Sequence, residues 1–157
     1  MTIEDNILTA YHHLLMLDTD KDKEKQWISN QQPQAAGLST LHFHILSYLA
    51  AHPNVLAKAI STDLKILRGT LSKQLALLER RKMLTHYKDS SDARGNHYTL
   101  TTLGSAIAQT HNQLLSMKNQ TLKAHLKGFT PEDLQIIARF LKQITDAEEN
   151  DTYPTNK

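Results

Sequence analysis

Cysteine is absent from all 157 residues. That excludes disulfides, cysteine-based zinc fingers, thiol nucleophiles and thiol redox sensing. Glycine and proline are scarce, at five and four, and the long leucine-rich stretches between them favour helices. No apolar run approaches the roughly 20 residues that a bilayer span needs, so no membrane partner is expected. The first twenty residues carry acids early and lack a basic leading segment, which argues against a secretory signal and for a cytoplasmic protein. There is no internal repeat and no low-complexity block. Neither H-E-x-x-H, G-x-S-x-G nor a phosphate loop occurs, so catalysis is not expected.

What is present suits one globular domain over 1–157. Hydrophobic residues make up 39% and charged residues 22% of a chain long enough to build a core without staples. Lys and Arg number 18 against 16 acids, for a net charge of +2. The one unusual count is nine histidines.

Apolar spacing predicts a first helix over about 2–28, from Ile3, Ile7, Leu14 and Leu17. Residues 30–37 form a polar turn segment. Ser39 can cap a second helix carrying Leu41, Ile45 and Leu49. Asn54 can cap a short third helix over 55–64. A fourth helix over about 67–82 has Leu67, Leu71, Leu75 and Leu78 as its buried stripe. At about 100° per residue, Gly69, Ser72, Lys73, Ala76 and Arg80 face away from it. The period then shortens: 84–89 and 96–101 read as two strands joined by the polar, glycine-containing 90–95. Thr101 or Thr102 caps a fifth helix to about 127, ended by Gly128. Thr130-Pro131-Glu132-Asp133 starts a last helix to about 147, where acids oppose the macrodipole and favour fraying.

Three helices followed by a hairpin make a mainly α fold with a small β wing, a winged helix-turn-helix. The lobe spans about 38–101, flanked by helices over about 2–28 and 102–147. Near-zero net charge hides a local bias: 65–82 holds six bases and one acid, net +5. A basic patch on one helix is the footprint of a reader of double-stranded DNA. Gly69 and Ala76 are small enough to let the helix lie deep in a major groove. Thr70 and Ser72 can bond phosphates or bases, Arg68 and Lys73 can reach guanine edges or phosphates, and Arg80 and, on the wing, Lys88 extend the basic surface. A solvated basic face on a structural helix is the plain alternative.

Leu78-Glu79-Arg80-Arg81-Lys82-Met83-Leu84, Asp89-Ser90-Ser91-Asp92-Ala93-Arg94 and Leu100-Thr101-Thr102-Leu103-Gly104 together resemble the MarR family of transcription regulators. The pattern is L-E-x-x-G-x-[IVL], then D-x-x-D-x-R, then L-T-x-x-G, and the resemblance covers about 38–145. Lys82 stands where the family commonly has glycine, which lysine can occupy at negative φ. The resemblance implies that Arg94 enters a minor groove while Asp92 braces it, which suits the negative potential of a narrow A·T groove. It also implies a two-fold dimer built from the outer helices. Candidate interface residues are Ile3, Ile7, Leu14, Leu134, Ile137, Phe140, Leu141 and Ile144. Half-sites about one helical turn apart fit such a homodimer. The expected function is a ligand-responsive repressor on a palindromic operator.

The effector sites come from the histidines. His42 and His44 point about 200° apart on one helix, so one of them can pair with His111 across packed helices. Glu24 could add a carboxylate, and imidazoles plus a carboxylate are a zinc donor set. The stretch from Leu38 to Leu46 is similar to the zinc-responsive AdcR/ZitR branch of the family, where a ligand histidine precedes Ile-Leu, as His44 does. His111 matches the first of that branch's two fifth-helix histidines, but Leu115 stands at the second and Phe43 replaces an acid. The two effector readings are zinc, and an organic anion or phenolic ligand held by His44, His111 and Tyr48 between the dimer helices and the lobe. Rival readings are a metal-dependent enzyme and a winged-helix module that binds protein instead of DNA.

Overall fold

The structure is a computed structural model that describes residues 1–17 and 21–151; within that range the side chains at 21–22 and 92–94 lie outside the description. Its elements are α1 (Ile3–Leu17), α2 (Lys21–Gln31), α3 (Thr40–Ala51), β1 (Val55–Leu56), α4 (Ala57–Asp63), α5 (Arg68–Arg80), β2 (Leu84–Asp89), β3 (Asp92–Leu100), α6 (Thr102–Leu126) and α7 (Pro131–Asn150). A short 3-10 turn, Pro33–Ala35, leads into α3. Among the described residues no helix is long and apolar enough to cross a membrane. The chain divides into two units, Met1–Leu115 and Ser116–Lys157.

The first unit holds the core. Ile28, Leu38, Phe43, Ile45, Leu46 and Leu49 meet Ile60, the α5 stripe of Leu71, Leu75 and Leu78, then Met83, Leu84 and Ile107, all buried. Ser39 caps α3 as expected: its Oγ accepts from the His42 amide at 3.3 Å, and its own amide donates to His42 Nδ1 at 2.9 Å. The sheet order is β1-β3-β2, antiparallel throughout. Leu84 faces Leu100, and the register holds to Lys88 opposite Asn96 before a bulge at Lys88/Asp89.

Several expectations change. The first helix is two helices with Asp18-Thr19-Asp20 between them in sequence, and 18–20 lie outside the described residues. Asn54 does not cap; it sits at φ 62 and turns the chain into β1, and α4 starts behind Leu56 without a side-chain cap. The strand β1 is too short for alternation to reveal. Leu67 is not in the buried stripe: it is the N-cap of α5 and is 80% exposed. The strand β3 begins at Asp92, so the turn is only Ser90-Ser91.

In the second unit, Thr130 and Asp133 form a reciprocal cap at 3.1 Å each way, with Pro131 in the first turn of α7. The helix does not stop at 147 but reaches Asn150. There Lys142 pairs with Asp146 at 2.8 Å, and the Asn150 side chain bonds the Asp146 carbonyl at 2.7 Å. These contacts offset the unfavourable acids. No residue of α7 is buried, and none of α1.

Candidate nucleic-acid interface

Three leucines decide which way α5 faces. With Leu71, Leu75 and Leu78 buried, Gly69, Lys73, Ala76 and Arg80 are exposed on the opposite side, Thr70 and Ser72 are exposed at its flanks, and Arg68 is exposed as the first residue of the helix. Leu67 cannot cap, so among the described residues no side chain caps the first amides of α5. A helix start with free amides and positive end potential suits a phosphate. Leu67 beside it is an exposed apolar group that the leucine period masked, because its spacing fits the stripe.

Both ends of the basic segment are specialised. Arg81 is already engaged within the chain: its guanidinium donates to the Gln34 and Ala36 carbonyls at 2.7 Å each, tying the end of α5 to the turn before α3. Arg81 lies three residues after buried Leu78, but that spacing gives no sign of its carbonyl partners. Lys82 occupies its glycine-preferring place at φ 59, in the left-handed region and not at negative φ. The Lys82 amide bonds Glu79 O at 2.9 Å and the Met83 amide bonds Leu78 O at 3.0 Å, a helix stop that requires this conformation. Glu79, the only acid of the segment, pairs with His86 of β2 at 2.6 Å. The net basic character of the exposed face thus survives the loss of Arg81.

The wing rises directly from this stop. Asp89 Oδ1 accepts from the Ser91 amide at 3.0 Å and its hydroxyl at 2.8 Å, closing the turn and lowering the Asp89 pKa through the backbone bond first. Lys88 is exposed beside it. Asp92 and Arg94 belong to β3, and their side chains lie outside the described residues. At the wing's other end, Thr101 Oγ1 donates to Lys82 O at 2.7 Å and accepts from the Gly104 amide at 3.1 Å. A Cβ at Gly104 would sit 1.8 Å from Met83 O. The L-T-x-x-G pattern is therefore a close crossing of backbones that locks the wing, the end of α5 and the start of α6 together.

The proposed effector residues separate into two groups. His42 cannot serve as a ligand as it stands. Its Nδ1 accepts from the Ser39 amide, so its Nε2 carries the hydrogen, which it gives to Gln74 of α5. Burial pushes its pKa below the ordinary 6.5, the Gln74 bond opposes that, and Arg81 adds to it. Tyr48 is also engaged: its hydroxyl donates to Asp63 at 2.6 Å, raising its pKa, and its ring stacks on His52. His44 and His111 do come together, with ring centroids 6.1 Å apart. His111 is buried, stacked against Phe43 at 5.4 Å and bonded to Ser47 Oγ at 2.8 Å. Ser47 gives its one proton to Asn112 Oδ1, which makes His111 Nδ1 the donor. Burial lowers the His111 pKa most, His44 adds to this, and Glu24 and Asn112 oppose it. Glu24 therefore acts on the same spot. Among the described residues no three His, Cys, Asp or Glu gather as metal ligands. With an aromatic ring on one face of His111 and Leu115 where a further imidazole would be needed, this donor set does not fit zinc.

A family model described as the MarR family matches residues 36–95. The transcriptional regulator AdcR of Streptococcus pneumoniae serotype 2 is 30% identical over 104 residues, 66% of this chain and 70% of that protein. Among solved structures, the adhesin competence repressor (AdcR) of Streptococcus pyogenes superposes with a TM-score of 0.73 at 21% identity, over 96% of this chain and all of that one (100%). Streptococcus pneumoniae FabT, solved in complex with DNA, gives 0.65 at 18% identity, over 94% and 96%. These two structures establish the fold: a helical protein with a small antiparallel wing.

Proposed function

The chain belongs to the MarR family of transcriptional regulators, and on that footing we propose that it is a homodimeric, effector-responsive repressor that reads a palindromic operator. It is a regulator and not an enzyme. The observation that carries the proposal is the exposed face of α5, where Gly69, Thr70, Ser72, Lys73 and Arg80 lie away from the buried leucines and Arg68 is exposed at the helix start. Small residues admit the helix to a major groove, the hydroxyls and cations meet bases and phosphates, and Lys88 and Arg94 extend the contact along the wing. A DNA complex of a protein with the same fold supports this partner. A repressor among the structural relatives supports the sign of regulation.

The outer helices support the dimer. Ile3, Ile7 and Leu14 of α1 and Leu141 of α7 are exposed large apolar groups, a surface that a second copy would cover. The effector must bind the reading and non-reading states unequally, or it regulates nothing. An organic ligand near His44, His111 and Glu24 suits the aromatic, hydrogen-bonded surroundings of His111 better than zinc does.

Fluorescence anisotropy of a duplex from upstream of the protein's own gene tests the reading. Arg94→Ala should weaken binding by roughly 1–3 kcal/mol per dimer, and Lys73→Ala should reduce the salt slope by about 1 for each phosphate contact removed. No binding to any duplex at low salt would instead favour a protein-binding winged helix.

A further inference from the structure

The bases of residues 65–82 are not alike. Lys65, Arg68, Lys73, Arg80 and Lys82 are exposed, and Arg81 alone is half-buried. Its Nη2 donates to the Gln34 and Ala36 carbonyls at 2.7 Å each. The turn's own backbone bonds end on the carbonyls of Gln32, Pro33 and Ala35, and the guanidinium takes Gln34 and Ala36. A planar fork on two carbonyls is a directional hold, which a flexible point charge would not give.

A second tie runs beside the first. Gln74 of α5 accepts the Nε2 hydrogen of His42, whose Nδ1 holds the Ser39 amide. Gln74 and Arg81 are seven residues apart, so they lie within about 20° of one helix face and about 10 Å apart along it. Both ties end on the turn before α3 and the first residues of α3. One tie would leave α5 a pivot. Two ties, set two turns apart, fix both its roll and its tilt.

The tied flank and the exposed face are separate. Gln74 and Arg81 are half-buried, whereas Gly69, Lys73 and Ala76 are exposed. The lever between them is long. Gly69 lies about 18 Å along the helix from Arg81, so a tilt of roughly 5° at the tie moves Gly69 by about 1.5 Å. Hydrogen bonds to base edges do not survive a shift of that size. Attraction to phosphates is Coulombic and tolerates it.

We propose that Arg81 is a positioning residue for operator recognition: by holding the end of α5 to the turn before α3, it sets the aim of the exposed face and so the discrimination between sequences, without a phosphate contact of its own. The proposal rests on the DNA-reading role of α5. Gln34 and Ala36 are exposed, so water can take over their carbonyls and the chain folds without the fork.

The test uses the full chain. Wild-type protein selects duplexes from a random pool, and fluorescence anisotropy compares a selected duplex with a scrambled one of the same composition across salt concentrations. Arg81→Met should lose at least about tenfold in the ratio of selected to scrambled affinity, the scale of one misaligned base contact. Its salt slope on the scrambled duplex should equal that of the wild type. Arg81→Lys keeps the charge and lacks the fork, and should lose the ratio as well. If Arg81→Met does not fold by circular dichroism, Arg81→Lys is judged by the same criteria. An unchanged ratio overturns the proposal. So does a parallel fall on both duplexes with a slope reduced by about 1, which would make Arg81 a direct phosphate contact. A wild type that selects no sequence from the pool removes the operator reading, and the proposal with it. A wild type that selects, matched by Arg81→Met, overturns the proposal alone.

Discussion

Helices α3 and α5 bury five and three residues, whereas α1 and α7, of 15 and 20 residues, bury none. All four are amphipathic by spacing. The difference is what meets the apolar face. In the winged lobe each stripe finds another inside the same chain, and the contacts close around Ile45, Leu46 and Leu78. In α1 and α7 large apolar groups such as Ile3, Leu14, Ile136 and Leu141 stay more than half exposed. One region thus carries its own core, and the other presents large apolar groups that the proposed dimer would cover.

The sharpest way to break this contrast is to damage the lobe where it is tightest. Gly104→Ala forces a Cβ to 1.8 Å from the Met83 carbonyl oxygen. It should cost at least about 3 kcal/mol or prevent folding. A chemical-denaturation midpoint equal to wild type would mean that the crossing at Thr101 is not the lock described above. The outer region should respond in the opposite manner. Leu141→Glu should leave the lobe's circular dichroism intact while weakening self-association by about 2 kcal/mol or more. Sedimentation velocity would show it, and an unchanged dimer would remove Leu141 from the interface.

A third prediction separates the regions by pH. Burial holds His42 and His111 below the ordinary histidine pKa of 6.5. The unfolded chain therefore binds protons that the folded chain refuses. The stability this confers is complete above pH 6.5 and is lost as pH falls from there through the lowered folded values. The slope should reach at most about 1.4 kcal/mol per pH unit for each histidine. Thermal melts between neutral and mildly acidic pH should show the loss in wild type and a shallower one in His111→Asn. Equal slopes would clear His111 of the effect. The smallest expected change is a gain: Lys82→Gly relieves a left-handed lysine and should stabilise the lobe by about 1 kcal/mol. A loss there would mean that the lysine side chain contributes more than its backbone costs.

Most of the lobe was legible because its signals are local. The Ser39 cap, the Thr130-Pro131 start, the α5 stripe and both hairpin strands depend on neighbours a few residues apart. The misreadings have a common cause in contacts that no spacing encodes. Leu67 fits the leucine period yet falls outside α5, so its side chain has nothing to pack on. Arg81 belongs by count to the basic patch, but two carbonyls from the turn before α3 hold it. Helical spacing alone left either His42 or His44 to pair with His111, and Gln74 and the Ser39 amide hold His42.

The sequence by itself determined the class of molecule: a cysteine-free helical chain, a basic helix followed by a hairpin, and motifs shared with a regulator family. Those follow from composition, period and the order of elements, which are properties of a linear chain. Tertiary structure decided which charges stay free and which histidines are already bonded. Each of those outcomes depends on side chains far apart in sequence competing for the same space and the same hydrogen bonds, and only the folded chain resolves that competition.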